Sequence, residues 1–182
     1  MRVFKDRELF LPSSVVSIGA FDGLHKGHQK LIRQAVKRAR ELDVPSVVYT
    51  FDPPPRAYFQ KQIVLTSLDE KLALMEKLTV DYIIVASFNE HYAARPSADF
   101  LDELIQIGAC EVWVGSDFRF GKGKEGDIKF LSNYFQVNTY PFVTCDQGKK
   151  ISSTRIRELL KNNDWLEIYQ LLGRESLKTL DV

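Results

Sequence analysis

Two histidines stand three residues apart in a glycine-rich stretch that follows a short apolar run. The stretch GAFDGLHKGH runs from Gly19 to His28 and contains His25 and His28, two of the three histidines in the chain. We expect His28 to lie in the first turn of a helix and His25 just outside it. A helix start attracts anions because its backbone N–H groups are unpaired and its dipole is positive there. A neutral imidazole at that point can donate a hydrogen bond to a phosphoryl oxygen, so the spacing indicates a phosphate site.

Two other interpretations of the histidine pair stay open. A zinc ion needs three or four nitrogen, sulfur or oxygen ligands, and the third histidine, His91, is distant in the sequence, as are Cys110 and Cys145. The other interpretation is that both histidines only cap the turn. The glycines let the backbone approach a ligand closely, as a phosphate site requires.

A second anion-binding pattern, ISSTRIR, occupies residues 151–157. Three hydroxyl residues precede a predicted helix that carries Arg155 and Arg157. Hydroxyl and backbone N–H groups at a helix start bind phosphate, and arginine grips it with paired hydrogen bonds. Ser–Ser–Thr is also an ordinary helix N-cap, so this segment alone leaves both interpretations open.

The elements that must position these motifs follow from apolar runs and helical periodicity. Apolar runs bounded by turn residues predict strands at 15–18, 45–51, 81–88 and 110–115. Apolar residues at helical spacing predict helices at 28–42, 67–78 and 97–108, and two short helices within 151–173. Ser67 and Glu70 form a capping box at the start of the second helix, and we expect Ser97 to start the third.

Strands that alternate with amphipathic helices predict an α/β fold with a doubly wound parallel sheet. In such sheets ligands bind beyond the carboxyl ends of the strands, where the winding reverses. The GAFDGLHKGH loop follows the first predicted strand, and the loop GSDFRFGKGKEGD, at 115–127, follows the fourth. If these two strands are neighbours, both loops face one crevice.

Length and composition suit one globular domain and exclude several classes of function. The 182 residues carry a net charge of +1, which argues against a general nucleic-acid binder. The N-terminal segment is charged throughout, so we expect no signal peptide, and no apolar run approaches the length of a membrane span. The two cysteines form no CxxC pair, which fits a reducing compartment. We therefore expect a cytoplasmic protein without nucleic-acid or membrane partners.

The motifs together, in their order, resemble the nucleotidylyltransferase superfamily. Within it the chain is most similar to the FMN adenylyltransferase module of the prokaryotic FAD synthetase family. The segments that carry the resemblance are GAFDGLHKGHQ, TFDPPP, GSDFRFGKGKEGD, ISSTRIRELL and the closing LLGR. They span essentially the whole chain, and the resemblance implies the Rossmann-like sheet of the nucleotidylyltransferase type.

The resemblance also implies an activity and a set of site residues. Members of this family transfer AMP from ATP to the phosphate of FMN and release FAD and pyrophosphate, with Mg²⁺. The implied catalytic residues are His25, His28 and Arg157. The implied ATP-binding residues are Gly19, Phe21, Asp22, Gly27, Gly115, Asp117, Ser152, Ser153 and Thr154. Asp117 is the carboxylate expected to touch the ribose or the metal. Helical geometry, and not the resemblance, predicts that the side chain of Arg155 points away from Arg157 and is solvated.

The flavin half of the site is implied by the segments that follow the second and third predicted strands. These segments supply aromatic and polar side chains for the isoalloxazine ring, namely Phe51, Tyr58, Phe59, Phe88 and Asn89. The family often has histidine where this chain has Pro54. That difference leaves the role of the position open.

Family members commonly continue into a riboflavin kinase module after LLGR. We expect residues 1–182 to form a single FMN adenylyltransferase domain without that module, functionally linked to a separate riboflavin kinase. Two alternatives stay open: a sister nucleotidylyltransferase that acts on another phosphate acceptor, and a flavin- or nucleotide-binding regulator without turnover.

Overall fold

A six-stranded parallel sheet forms the centre of the computed structural model, which describes residues 1–174. Its strands are β1 (Arg2–Lys5), β2 (Ser14–Ile18), β3 (Ser46–Asp52), β4 (Tyr82–Ser87), β5 (Ala109–Gly115) and β8 (Gln136–Tyr140). The short strands β6 (Arg119–Phe120) and β7 (Gly126–Asp127) form a separate antiparallel pair. The order across the large sheet is β1-β4-β3-β2-β5-β8.

Helices cover both faces of this sheet. They are α1 (Lys26–Glu41), α2 (Pro55–Gln60), α3 (Leu68–Glu76), α4 (Glu90–Ala93), α5 (Ser97–Gln106), α6 (Ile128–Leu131), α7 (Ser153–Lys161) and α8 (Trp165–Leu172). On one face Leu104 of α5 packs in the largest apolar cluster, and on the other Ile32 of α1 packs with Met75 of α3. The helices α7 and α8 form a third cluster with Leu65 and Ile151.

The winding of the sheet reverses at β2. From β2 the chain moves outward through β3 to β4, and it then crosses back to place β5 on the other side of β2. The first and fourth predicted strands correspond to β2 and β5, which pair with Ser17 opposite Trp113. The doubly wound α/β fold is therefore confirmed, and the loops after these two strands leave the same edge of the sheet.

The sheet has two strands that the sequence did not predict, β1 and β8, one at each edge. Both are short and largely polar, with the sequences RVFK and QVNTY, and both are partly solvent-exposed. Sequence reasoning also missed helix α2, because it took DPPP only as the end of a strand. Proline suits the first helical turn, and α2 begins at Pro55.

One helix start and one helix cap differ from the prediction. The helix predicted from His28 begins at Lys26, which still leaves His28 in the first turn. The helix α5 begins at Ser97, but its N-cap is Pro96, and the backbone N–H of Ser97 donates to Glu125 Oε1 at 2.6 Å. Within residues 1–174, no helix is both long enough and apolar enough to cross a bilayer.

Candidate active site

The turn between β2 and α1 is tightly folded by its glycines. A Cβ atom at Gly19 would lie 2.9 Å from the ring of Phe21, so only glycine fits without a shift of that ring. Gly23 has a φ of +81°, in the left-handed region that favours glycine. A Cβ at Gly27 would lie 3.1 Å from His25 Nδ1. The glycines thus leave room for the two rings that the turn carries.

The two histidines form a stacked pair at the start of α1. His25 is the N-cap, and its Nδ1 accepts a hydrogen bond from the backbone N–H of His28 at 3.3 Å. The two imidazoles stack at 3.6 Å with an interplanar angle of 18°, and Phe21 packs edge-on against His28 at 5.3 Å. His28 Nδ1 is enclosed and has no hydrogen-bond partner within residues 1–174. His25 therefore does cap the turn, while His28 keeps a ring nitrogen unused.

Both imidazoles are neutral at physiological pH. Burial lowers the pKa of His25 to about 4, and the charges of Arg174 and Lys150 act in the same direction. Burial also holds the pKa of His28 well below its ordinary value, with further contributions from His25 and Lys71. Neutral imidazoles are the form that the phosphate interpretation requires, because they donate hydrogen bonds without carrying a charge.

Asp22 joins this turn to the start of α7. Ser153 Oγ donates to the backbone carbonyl of Asp22 at 2.7 Å, and the guanidinium of Arg157 forms an ion pair with the Asp22 carboxylate. Arg157 Nε also donates to the carbonyl of Ile63 at 2.9 Å. The two anion-binding patterns are more than a hundred residues apart in the sequence and are in direct contact in the fold. The structure thus brings two helix starts, α1 and α7, to one place.

The carboxylate of Asp22 is buried, with 5% of its side chain exposed. Burial raises the pKa of Asp22, and the charges of Arg157 and Lys71 and the hydrogen bond from the backbone N–H of Leu65 oppose that rise. Arg157 was predicted to grip phosphate, and in this structure its guanidinium is held by Asp22. Asp22 therefore fixes the position of the arginine at the start of α7.

The three hydroxyl residues before α7 have different surroundings. Ser152 is the N-cap, and its Oγ accepts a hydrogen bond from the backbone N–H of Arg155 at 3.2 Å. Ser153 faces Asp22, as described above. Thr154 Oγ1 accepts a hydrogen bond from Arg56 at 3.5 Å. The capping interpretation thus holds for Ser152, and the other two hydroxyls lie toward the crevice.

Arg56 connects two of the predicted ATP-binding residues. Its guanidinium contacts Thr154 and lies 4.0 Å from the carboxylate of Asp117. Asp117 in turn folds back on the end of β5, where a Cβ at Gly115 would lie 3.3 Å from its Oδ1. Sequence reasoning missed Arg56. Its place directly after DPPP, beyond the carboxyl end of a strand, could have indicated a ligand-binding residue, because ligands bind at those strand ends in doubly wound sheets.

The expectation that Arg155 is solvated was wrong. Its guanidinium forms an ion pair with Glu167 on α8 and also lies 3.3 Å from Cys145 Sγ, with 14% of its side chain exposed. Arg155 does point to different partners than Arg157, as helical geometry requires. It stabilises the contact between α7 and α8.

The predicted flavin residues come together around Phe88. Its ring lies 6.0 Å from Phe51, 5.7 Å from Tyr58 and 5.6 Å from Phe59. Tyr92, which sequence reasoning did not include, packs on the same ring at 5.6 Å. We call these five residues the aromatic cluster. Its outer members present aromatic surface to solvent, with Phe59 64% and Tyr58 40% exposed.

Asn89 is placed beside the aromatic cluster but has a local partner. Its Oδ1 accepts a hydrogen bond from the backbone N–H of Tyr92 at 2.9 Å and so caps α4. Phe51 is 9% exposed, so most of its ring packs inside the cluster. The structure thus collects all five predicted flavin residues at the ends of β3 and β4.

A metal held by the protein alone does not fit the described residues. Within residues 1–174, no three His, Cys, Asp or Glu side chains form a group that could hold a metal ion. Mg²⁺ is commonly bound through one or two carboxylates and the phosphates of a substrate. The exposed Asp117 carboxylate, at the edge of the crevice, fits that arrangement.

Comparison with known proteins identifies the family. A family model described as FAD synthetase matches residues 8–155, which include the glycine turn, the aromatic cluster and the start of α7. The chain belongs to the FAD synthetase family. The resemblance predicted from the motifs is confirmed.

Some relatives of this FAD synthetase family member are about as long as the chain, and others are considerably longer. A protein of Geobacillus thermodenitrificans named "Putative bifunctional riboflavin kinase/FMN adenylyltransferase" is 51% identical over 165 residues, which are 91% of this chain and 92% of that protein. The bifunctional riboflavin kinase/FMN adenylyltransferase of Escherichia coli K12 is 33% identical over 170 residues, covering 87% of this chain. The chain spans 54% of the length of that E. coli relative.

Solved structures agree on the fold. A crystal structure of a protein described as a macrolide-efflux protein from Streptococcus pneumoniae matches with a TM-score of 0.83 and 30% identity, over 96% of this chain and 62% of that one. Pantothenate synthetase from Thermus thermophilus matches with a TM-score of 0.58 and 16% identity, over all of this chain and 83% of that one. The second match shows a shared fold and no more.

Proposed function

We propose that this chain transfers AMP from ATP to FMN and forms FAD and pyrophosphate. The observation that carries the proposal is the contact of Ser153 and Arg157 with Asp22, which joins the start of α7 to the histidine turn. Two helix starts and an arginine at one place suit a triphosphate. Membership of the FAD synthetase family indicates that the acceptor is FMN.

The proposed reaction is an in-line displacement at phosphorus. A phosphate oxygen of FMN attacks the α-phosphorus of ATP and forms a new P–O bond. The bond from the α-phosphorus to the oxygen that bridges to the β-phosphorus breaks, and pyrophosphate leaves with that electron pair. This chemistry needs no covalent intermediate with the protein, so catalysis consists of positioning and electrostatic stabilisation.

The neutral histidine pair and Arg157 have distinct roles in this proposal. His28 donates a hydrogen bond to the phosphoryl oxygens, where charge builds up in the transition state. His25 holds the ring of His28 by stacking and caps the helix that carries it. Arg157 and the hydroxyls of Ser153 and Thr154 bind the β- and γ-phosphates and offset the charge of the departing pyrophosphate.

Mg²⁺ enters this proposal with ATP and not as a resident ion of the protein. When bound to the phosphates it offsets their negative charge. Asp117 is the side chain that we propose as its protein ligand or as a ribose contact, and Arg56 lies beside it. Arg56 flanks the crevice from helix α2, which follows β3, and Asp117 flanks it from the loop that follows β5.

The flavin ring is proposed to bind at the aromatic cluster. Tyr58 and Phe59 are the exposed aromatic side chains proposed to contact the ring, and Phe88 packs against both. We also keep as proposals that the chain forms an FMN adenylyltransferase domain, that its FMN comes from a riboflavin kinase, and the cytoplasmic location. The last is supported by two free thiols, Cys110 and Cys145, which suit a reducing compartment.

A panel of acceptors tests this function against its alternatives. The purified chain is incubated with ATP and Mg²⁺ and with FMN, riboflavin, nicotinamide mononucleotide or phosphopantetheine, and products are separated by chromatography. We expect FAD from FMN alone, and no product from riboflavin because a hydroxyl is a poorer nucleophile than a phosphate dianion. Product from another phosphate acceptor and not from FMN would identify a sister nucleotidylyltransferase. Binding of flavin and ATP without any product would identify a regulator.

A further inference from the structure

Lys71 is a buried charged residue that belongs to neither substrate motif. It lies on α3 and is 0% exposed. Its Nζ donates to the backbone carbonyl of Ala20 at 3.2 Å and to that of Phe51 at 3.1 Å. Ala20 lies in the turn that carries the histidines, and Phe51 lies near the end of β3 in the aromatic cluster. One side chain thus connects the proposed nucleotide half of the crevice to the proposed flavin half.

The stability of the fold does not by itself favour lysine at this position. A buried ammonium group loses its hydration, and hydrogen bonds to carbonyl groups must make up for that loss. Replacement of a whole buried ion pair by packed apolar side chains is often neutral or stabilising, so a buried charge is weak evidence for a purely stabilising role. An apolar side chain of similar length would fill the same space. Lysine provides what that side chain lacks, which is a pair of directed hydrogen bonds to two separate segments.

The charge of Lys71 also lies close to the polar groups of the crevice. Burial lowers the pKa of Lys71, while the charges of Asp22 and Asp52 act in the opposite direction. Lys71 in turn contributes to the lowered pKa of His28 and opposes the raised pKa of Asp22. The ammonium group is therefore close enough to the histidine turn to influence it electrostatically as well as by hydrogen bonds.

We propose that Lys71 is a positioning residue that fixes the turn carrying His28 relative to the end of β3 carrying Phe51. The inference rests on the proposed function, because the two segments are the proposed halves of the crevice. In-line transfer requires aligned reactants, and a displacement of about 1 Å caused by a remote change costs on the order of a hundredfold in rate. Lys71 binds backbone carbonyls of both halves, so its loss changes their alignment and leaves the contacts of each substrate in place.

The test compares Lys71→Met with Lys77→Met, an exposed lysine at the C-cap of the same helix. We expect Lys71→Met to lower kcat by about 10- to 100-fold, with the KM for ATP and the KM for FMN each within about threefold of wild type. Lys77→Met should match wild type. Lys71→Gln keeps an N–H donor and should recover part of the lost kcat. Circular dichroism and thermal melting of every variant establish that it is folded.

The outcomes separate this inference from the proposed function. If the wild-type chain makes no FAD, the proposed function fails whatever the variants do. If wild type makes FAD and Lys71→Met keeps the wild-type kcat, the positioning role is overturned. A raised KM for one substrate with an unchanged kcat also overturns it, because that result indicates binding of that substrate alone. Failure of both Lys71 variants to fold would assign the lysine to the stability of the fold and would likewise overturn the proposal.

Discussion

Replacement of Arg157 by alanine should destabilise the protein in a way that depends on pH. Asp22 and Arg157 form a buried ion pair, with 5% and 11% of their side chains exposed. Unit charges about 4 Å apart attract by about 4 kcal/mol at an effective dielectric constant of about 20. Loss of one partner of such a pair typically costs about 3–5 kcal/mol, because the other charge stays buried without compensation. We therefore expect the free energy of unfolding to fall by about 3–5 kcal/mol at neutral pH.

The pH dependence follows from the carboxyl group that remains. Burial raises the pKa of Asp22 and Arg157 opposes the rise, so the pKa should increase further in Arg157→Ala. The folded variant then binds a proton at pH values where the unfolded chain does not, and its stability decreases as the pH rises through that range. The stability deficit relative to wild type should be largest near neutral pH and smaller in acid.

Urea unfolding curves at two pH values, about 7 and about 5, provide the measurement. Arg155→Ala is the matched control, because Arg155 lies on the same helix as Arg157 and pairs with Glu167 of α8, and these two side chains are more exposed than those of Asp22 and Arg157. Adding Asp22→Asn to Arg157→Ala removes the uncompensated charge and should recover about 1–3 kcal/mol at neutral pH. An equal deficit at both pH values, together with no recovery from Asp22→Asn, would refute the reasoning.

The remaining predictions concern single side chains of the crevice. His28→Ala should lower kcat by on the order of a hundred- to a thousandfold, with the KM for ATP within about tenfold of the wild-type value. Steady-state kinetics of this variant and of the exposed control His91→Ala provide the measurement, and a normal kcat for His28→Ala would contradict the prediction. The pKa of His25 is lowered from 6.5 to about 4 in the folded protein. Between these two pH values the unfolded chain binds a proton that the folded chain does not, so the stability of the folded protein should decrease as the pH drops through this range. Unfolding curves of His25→Gln should show a weaker decrease, and identical pH profiles would contradict the assignment. Arg56→Ala should raise the KM for ATP by about 3- to 10-fold with little change in the KM for FMN, and unchanged ATP kinetics would exclude the residue from the site.

The parts of the fold that sequence reasoning found are those with strong apolar signals. The strands β2, β3, β4 and β5 are apolar runs that lie in the middle of the sheet, and turn residues mark their ends. The edge strands β1 and β8 are covered on fewer sides, so they need no continuous apolar run and leave no clear pattern. The pairing of β2 with β5 entered the sequence-based prediction as a condition only, and it fits a doubly wound sheet, in which the winding reverses beside the first strand of the alternating series, here β2.

The motif residues of the site were predictable, but their partners were not. The glycine turn followed by an amphipathic run at 28–42 implies a helix start near His28 whatever the rest of the chain does. The contact between Asp22 and Arg157 depends on how α7 packs against the sheet, which no local spacing encodes. Lysines in amphipathic helices are usually solvated, so the pattern of α3 does not reveal that Lys71 faces inward while Lys77 is exposed.

The fate of the ATP phosphorus atoms tests the central claim most directly. The chain is incubated with FMN, Mg²⁺ and ATP labelled at either the α- or the γ-phosphorus, and the flavin and pyrophosphate fractions are counted separately. The account predicts that the α-label appears in FAD and the γ-label in pyrophosphate, in equal molar amounts. Appearance of the γ-label in the flavin fraction, or release of pyrophosphate without labelled FAD, would contradict it.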